Sequence, residues 1–233
     1  MPILTLVNTG KFFWLYILVV SHMFYCYYIS NQFKQFGFTG GLDDQTLTTI
    51  GAAGALFNGC FKVVWATLLD YYNFKPVFSV IICVVMLCLA TIHWAVYNQY
   101  AYTIVVCLSF MCDGATAAML PVVTKQVFGQ KRGSSVYSYL WSSFGVASIL
   151  GALSVKTFLD LLGYDAMLLV CTTFSSLTAL ITFFYKFELI NYADLAQEKG
   201  IDIHFDDSDY SKIQRTINSD SKSKTMVDER FYK

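Results

Sequence analysis

Six long apolar stretches, separated by short polar ones, fill the first 186 residues of the chain. Crossing about 30 Å of hydrocarbon takes roughly 20 apolar residues in helical form, because lipid offers no partner for a free backbone N–H or C=O group. The stretches that meet this length are Phe12–Ser30, Thr46–Leu69, Pro76–Val96, Tyr102–Val123, Val136–Val155 and Ala166–Tyr185. The pattern therefore predicts an all-α integral membrane protein with six transmembrane helices.

Composition agrees with a chain that lies mostly in lipid. Hydrophobic residues make up 56% of the 233 residues and charged residues 14%, whereas a soluble domain carries about 25% charged residues. The formal net charge is zero, and without a concentrated basic face we expect no binding to nucleic acid. The sequence divides into a membrane domain, residues 1–186, and a polar tail, residues 187–233, which we expect to be cytosolic and disordered.

Basic residues near the ends of the spans predict the orientation. Six spans place both termini on one side of the membrane, and flanking Lys and Arg accumulate on the cytoplasmic side. The flanking cations on the side of the termini are Lys11, Lys75, Lys125, Lys131, Arg132 and Lys186, and those on the opposite side are Lys34 and Lys156. The count predicts that both termini are cytoplasmic and leaves the identity of the membrane open.

Two ionisable side chains fall deep inside predicted spans. Lys62 precedes Asp70 by about 12 Å of helix, and Asp113 precedes Lys125 by about 18 Å, at 1.5 Å per residue. Because a charge at such depth costs about 3 kcal/mol or more, each is a functional candidate. The depth difference of about 6 Å is within reach of a lysine stem, so the two side chains can pair if their helices face one another. Lys62 would then attract an anionic substrate and Asp113 would exchange a proton. Alternatively, the two would form a static structural pair, or Lys62 would reach cytoplasmic water.

The remaining polar chemistry does not indicate an enzyme. All seven cysteines fall inside apolar stretches and show no CxxC spacing, so we expect buried thiols rather than a metal site. His22 and His93 are single histidines near span ends, for which we expect interfacial hydrogen bonding. The sequence has no phosphate-binding glycine loop and no catalytic Ser/His/Asp arrangement in a defined context. We therefore predict no enzymatic activity, no metal and no cofactor.

The stretch from Leu56 to Lys75 resembles a signature of the major facilitator superfamily. In the oxalate/formate-antiporter-like and monocarboxylate-transporter-like branches, the second helix of the carboxyl-terminal half carries Asn-Gly, a basic residue three positions on, Asp and a short basic loop. Asn58, Gly59 and Asp70 match this signature, and Lys62 stands where the family usually has arginine. The resemblance implies that Lys62 binds a substrate carboxylate, as a point charge without the bidentate fork of arginine.

A second match covers the fourth and fifth spans. The family pattern there is Gly, Pro, Phe-Gly and a Tyr-rich start to the next helix, and the matching residues are Gly114, Pro121, Phe128, Gly129, Lys131 and Tyr137 to Gly145. Some oxalate-type members place a lysine where this chain has Phe144, so one of two expected cations is missing and a monocarboxylate is favoured over a dicarboxylate. In the family, the first, second, fourth and fifth helices of this half line the central path, while the third and sixth face lipid.

The resemblance implies two groups of site residues. The predicted substrate-binding residues are Asn58, Lys62, Asp113, Tyr137, Trp141 and Phe144. The predicted gating or structural residues are Gly59, Asp70, Lys75, Gly114, Pro121 and Gly145.

Transporters of this architecture use two six-helix halves that rock about a midplane site. The resemblance therefore implies half of a major facilitator fold, either a fragment or a half that pairs with itself as a homodimer or with another half. The function it implies is secondary active transport of a small organic anion, with proton coupling as one option. The alternatives are a relative that no longer transports and a non-transporting six-span scaffold or assembly subunit.

Overall fold

The computed structural model describes residues 10–185, and this stretch belongs to one compact unit, Met1–Ile190. The description leaves out the side chains of Asp70, Gln130, Lys131, Arg132, Asp160 and Leu162. Six helices follow one another: α1 Gly10–Thr39, α2 Asp44–Tyr71, α3 Phe74–Ala95, α4 Gln99–Phe128, α5 Gln130–Ser154 and α6 Asp160–Phe184.

The six helices contain six stretches long and apolar enough to cross a membrane, and the described residues contain no β-strand. The predicted all-α membrane fold with six candidate spans is therefore confirmed. The predicted polar tail, residues 187–233, lies outside the described residues.

The helices extend beyond the apolar stretches that predict them. α1 continues well past Ser30, its predicted end, and reaches Thr39. α4 likewise runs beyond both predicted ends. A helix satisfies its own backbone hydrogen bonds, so it does not have to stop where the side chains become polar. The chain turns only at Gly40 and Gly41, where Gly41 has a φ of +82° that favours glycine.

Asx residues begin two of the helices. Asp43 precedes α2, and its Oδ2 accepts a hydrogen bond of 3.1 Å from the N–H of Thr46. Hydrogen bonds from the Thr46 side chain and backbone hold the pKa of Asp43 below its ordinary value. Asn98 precedes α4, and its Oδ1 accepts from the N–H groups of Tyr100 and Ala101. These caps satisfy N–H groups that a helix leaves free at its start.

The connections that separate the last three helices are short. Gly129, with a φ of +87°, is the single residue that separates α4 from α5. Gly163, with a φ of +77°, interrupts helical geometry near the start of α6, and the turn Val155–Leu159 that joins α5 to α6 is π-helical. Pro121 lies inside α4, which continues past it.

The two central helices of the bundle are α1 and α4. In their most apolar stretches 67% and 61% of residues are buried, against 44% in α3, 39% in α6, 22% in α5 and 17% in α2. α2 packs mainly on α4, whereas α5 packs on both α1 and α4. Since α2 and α5 make little contact with each other, they flank the central pair and leave much of their own surface uncovered.

One end of the bundle gathers the start of α1, the start of α3 and the end of α6. Nζ of Lys75 donates a hydrogen bond of 2.7 Å to the backbone oxygen of Phe183. The ring of Trp14 lies 5.6 Å from the ring of Tyr185. The helices therefore alternate in direction, as six successive membrane crossings require.

Candidate functional site

α2 and α4 approach each other closely at Gly114. A Cβ atom added at this position would lie 2.6 Å from the backbone oxygen of Asn58, closer than real Cβ contacts allow. Only glycine lets the two helices come this near. The approach allows Nδ2 of Asn58 to donate a hydrogen bond of 2.9 Å to Oδ2 of Asp113. The structure thus joins three of the predicted site residues in a single helix contact.

Asp113 is held by this amide rather than by a cation. It is partly buried, and its other carboxylate oxygen accepts no hydrogen bond from the described residues. A buried carboxylate needs donors to offset the loss of water, and one amide offsets only part of that cost. Asp113 is therefore positioned by Asn58 and keeps acceptor capacity for a proton or for a further donor.

Lys62 lies one helical turn beyond Asn58 on an exposed part of α2. It interacts electrostatically with Asp113, yet no carboxylate of the described residues lies within 4.0 Å of its Nζ. The direct Lys62–Asp113 ion pair considered from the sequence is therefore not formed. The four residues from Asn58 to Lys62 span about 6 Å along the helix, so Asn58 and not Lys62 stands level with the carboxylate. The Lys62 ammonium keeps its three donors for a ligand.

An aromatic row lies on α5. Trp141 stacks on Phe144 at a centroid distance of 4.3 Å, and Tyr137 lies 5.5 Å from Trp141. The spacing of three and four residues places all three on one helix face. Tyr27 of α1 meets Phe144 edge-on at 6.5 Å and also interacts electrostatically with Asp113. The row is 44% exposed at Trp141, and Tyr27 connects its Phe144 end to the neighbourhood of Asp113.

The other predicted residues are dispersed. An added Cβ at Gly59 or Gly145 would meet no atom within 4 Å, so neither glycine marks a close helix contact in the described structure. Lys75 binds the end of α6, which is a structural role. The side chain of Asp70 lies outside the described residues, and Pro121 lies within α4 without a hydrogen bond to the site.

The sequence did not indicate a polar pair, His93 and Asp165, at the end of the bundle opposite Lys75. Nδ1 of His93 lies 3.0 Å from Oδ1 of Asp165, beside a cavity of about 210 Å³. The cavity is lined by Phe36, Thr39, His93, Val96, Tyr97, Tyr164 and Asp165. The alternating direction of the spans could have indicated this pair, because it brings the last residues of the third span and the first residues of the sixth to the same side of the membrane.

His22 is a correction to the expectation of an interfacial histidine. Its side chain is buried in the core of the bundle, 3.6 Å from Sγ of Cys26, and its ring centroid lies 5.2 Å from that of Phe78. The position follows from the length of α1, which extends so far past Ser30 that His22 falls near its middle.

No protein-family profile matches the chain, and no curated protein matches it. The interpretation of the site therefore depends on the geometry described above and on the residues that carry the resemblance.

Proposed function

We propose that this chain is one six-helix half of a secondary active transporter for a small organic anion of the monocarboxylate class. The observation that carries the proposal is the position of Lys62, one turn from the Asn58–Asp113 contact and with no described carboxylate within 4.0 Å of its Nζ. Ionisable residues within membrane spans generally face a water-filled path or pair with another group. Membership of the major facilitator superfamily belongs to the same proposal and is supported by the residues of α2, α4 and α5 that match its pattern.

Each side chain has a distinct part in the proposed site. The Lys62 ammonium binds the substrate carboxylate through charge-assisted hydrogen bonds. The exposed face of Trp141 contacts the apolar body of the substrate. Asn58 keeps Asp113 in a fixed position close to the anion.

Proton coupling follows from the two negative charges at this site. A bound carboxylate and an ionised Asp113 repel each other. The anion therefore binds better when Asp113 is protonated, and Asp113 ionises more readily when no anion is bound. Protonation of Asp113 therefore strengthens anion binding, and by linkage the bound anion strengthens protonation. A proton and an anion that stabilise each other in this way cross the membrane together.

The exposed surfaces of α2 and α5 support the need for a second half. They are the least buried of the six helices, and α2 carries Asn58 and Lys62 of the proposed site. Rocking of two halves about this contact would expose Lys62 to each side of the membrane in turn. The excess of flanking Lys and Arg assigns the end of the bundle that holds Lys75 to the cytoplasm.

A non-transporting membrane scaffold is the second candidate. The tight α2–α4 contact at Gly114 favours it, since a static Asn58–Asp113 hydrogen bond could serve only to join two helices. The two candidates differ in whether Lys62 has a ligand.

Equilibrium binding separates the two candidates. Labelled lactate and benzoate are titrated against the purified chain in nanodiscs, comparing wild type with Lys62→Gln and Lys62→Arg. The matched control is Lys34→Gln, which removes a cation that is already paired with Asp44 at 2.9 Å. A charged hydrogen bond contributes about 1.5–3 kcal/mol, so we expect Lys62→Gln to weaken binding roughly tenfold to 150-fold. The arginine variant should retain most of the affinity and the control all of it.

The proposal also predicts a pH dependence of binding. Wild-type affinity should rise as the pH falls, and Asp113→Asn should bind tightly at every pH because it is permanently neutral. Equal affinity in wild type and Lys62→Gln, or no saturable binding to folded protein, would support the scaffold instead.

A further inference from the structure

We propose that the second half is a second copy of this chain, packed against what we call the open surface. The open surface comprises exposed residues of α2 and α5, namely Gly59, Lys62, Val63, Trp141, Gly145 and Ile149. The inference deepens the proposed function and depends on it for its biological meaning. The structural argument for it comes from burial, charge and depth in the membrane.

Lipid alone does not suit the open surface. Exposed apolar side chains such as Val63 and Ile149, 69% and 62% exposed, are ordinary in contact with acyl chains. Lys62 on the same surface is different, because no described carboxylate lies within 4.0 Å of its ammonium. A cation inside a span requires an acidic partner, a ligand or water. The occupant of this surface must therefore supply polar groups at the depth of Lys62.

A second copy supplies such a group at the right depth. All copies of one chain insert in the same orientation, so a twofold axis between them runs along the membrane normal and preserves the depth of every residue. Asp113 is level with Asn58, and Lys62 lies about 6 Å further along α2, a difference that a lysine stem spans. When no anion is bound, Lys62 of one copy can therefore reach Asp113 of the other, and the symmetry repeats this contact. Lys62 of the open surface and the partly buried Asp113 of α4 are thus complementary in charge between the two copies.

The positions of the helices fit the same symmetry. α2 and α5 both pack on α4 and make little contact with each other. In the proposed pair, a twofold axis between two bundles sets α2 of one copy against α5 of the other. Gly59 on α2 and Gly145 on α5 each have no neighbouring atom within 4 Å of a Cβ position. Small residues of this kind allow the backbones of two membrane helices to approach closely.

The second copy also completes the site. In a single copy Lys62 and Trp141 are exposed, so a bound anion would be covered on one side only. Two copies enclose the Asn58–Asp113 contacts and aromatic rows of both bundles between them. The site between the halves then contains residues from each.

Cross-linking of the full chain tests the arrangement. Two differently tagged copies are co-expressed, one with Gly59→Cys and the other with Gly145→Cys, after replacement of the exposed Cys60 and Cys83 by serine in both. A short bismaleimide should convert the two tagged chains into one band of twice the mass. The matched control pairs Gly59→Cys with Leu87→Cys, which is 59% exposed on α3, and should give no such band.

Charge variants test the proposed contact between copies. Lys62→Gln alone and Asp113→Asn alone each remove both Lys62–Asp113 contacts from a symmetric pair and should lower the cross-linked yield. Co-expression of one variant with the other leaves one contact and should restore part of the yield. Equal yields in all four combinations would overturn the proposed contact.

The cross-link reports assembly without any substrate, so its outcome is separate from that of the proposed function. Cross-linked copies that do not bind an anion would remove the proposed function and leave the assembly intact. If the chain binds the anion but Gly59→Cys cross-links equally well to Gly145→Cys and to Leu87→Cys, the proposal that the second half is a second copy would be overturned. One-step photobleaching of fluorescently labelled wild-type chain in membranes would overturn it as well, independently of the cysteine variants.

Discussion

The replacement Gly114→Ala perturbs the contact on which the site is built. The added Cβ would meet the Asn58 backbone oxygen at 2.6 Å, about 0.8 Å short of an ordinary contact at 3.4 Å. Because that atom belongs to a helix backbone, it cannot turn aside as a side chain would. α2 and α4 must separate, and the Asn58–Asp113 hydrogen bond of 2.9 Å then stretches toward the limit for a hydrogen bond.

The cost of Gly114→Ala has two parts. Overpacking at a tight contact costs about 1–3 kcal/mol, and loss of one hydrogen bond between membrane helices costs about 0.6–1.7 kcal/mol. We therefore expect the free energy of unfolding to fall by about 2–5 kcal/mol. The matched control is Gly59→Ala on α2, where the new Cβ meets no atom within 4 Å. It should be neutral or stabilising by up to about 1 kcal/mol, since alanine is the better helix former.

Unfolding of the purified chain in micelles by increasing mole fractions of SDS measures both variants, with circular dichroism and tryptophan fluorescence as probes. An ordinary surface substitution changes the free energy of unfolding by no more than about 0.5 kcal/mol. A change of that size in Gly114→Ala would refute the α2–α4 contact. A loss of similar size in Gly59→Ala would refute the open position assigned to Gly59.

Three further predictions concern the two ends of the bundle. Lys75→Met should lower stability by about 1 kcal/mol in the same titration, because the ammonium no longer binds the Phe183 carbonyl at the end of α6. Because the pKa of Asp43 is lowered in the folded protein, its ionised carboxylate stabilises the fold fully above the ordinary aspartate pKa of about 3.9, and this stability is lost as the pH falls through the lower folded pKa. Thermal unfolding between pH 7 and pH 3 should therefore show a smaller loss of stability in Asp43→Asn than in wild type. Asp165→Asn replaces an exposed carboxylate that lies 3.0 Å from Nδ1 of His93, so the unfolding free energy should change by less than about 1 kcal/mol.

The sequence predicts the helices of this fold better than their ends. Apolar length marks all six spans, because burial in lipid demands it. The ends depend on local hydrogen bonds that hydropathy does not report, such as the cap at Asp43 and the turn at Gly41. His22 was misplaced for the same reason, since its depth depends on where α1 ends.

The sequence indicates the depths of the candidate site residues better than their contacts. The depths of Lys62 and Asp113 follow from counting residues, but the partner of Asp113 depends on which faces of α2 and α4 meet. That choice is set by the absence of a side chain at Gly114, which lets Asn58 reach the carboxylate. The His93–Asp165 pair depends on packing between the ends of α3 and α6, and no periodicity in either helix indicates it.

Uptake of labelled lactate and benzoate into proteoliposomes under an inward proton gradient tests the central claim most directly. The wild-type chain is compared with Lys62→Gln and with the paired-cation control Lys34→Gln, each reconstituted at the same protein density. The account predicts saturable, gradient-dependent uptake by wild type and by the control, and its loss in Lys62→Gln. Equal uptake by wild type and Lys62→Gln, or no saturable uptake by folded wild-type protein, would contradict it.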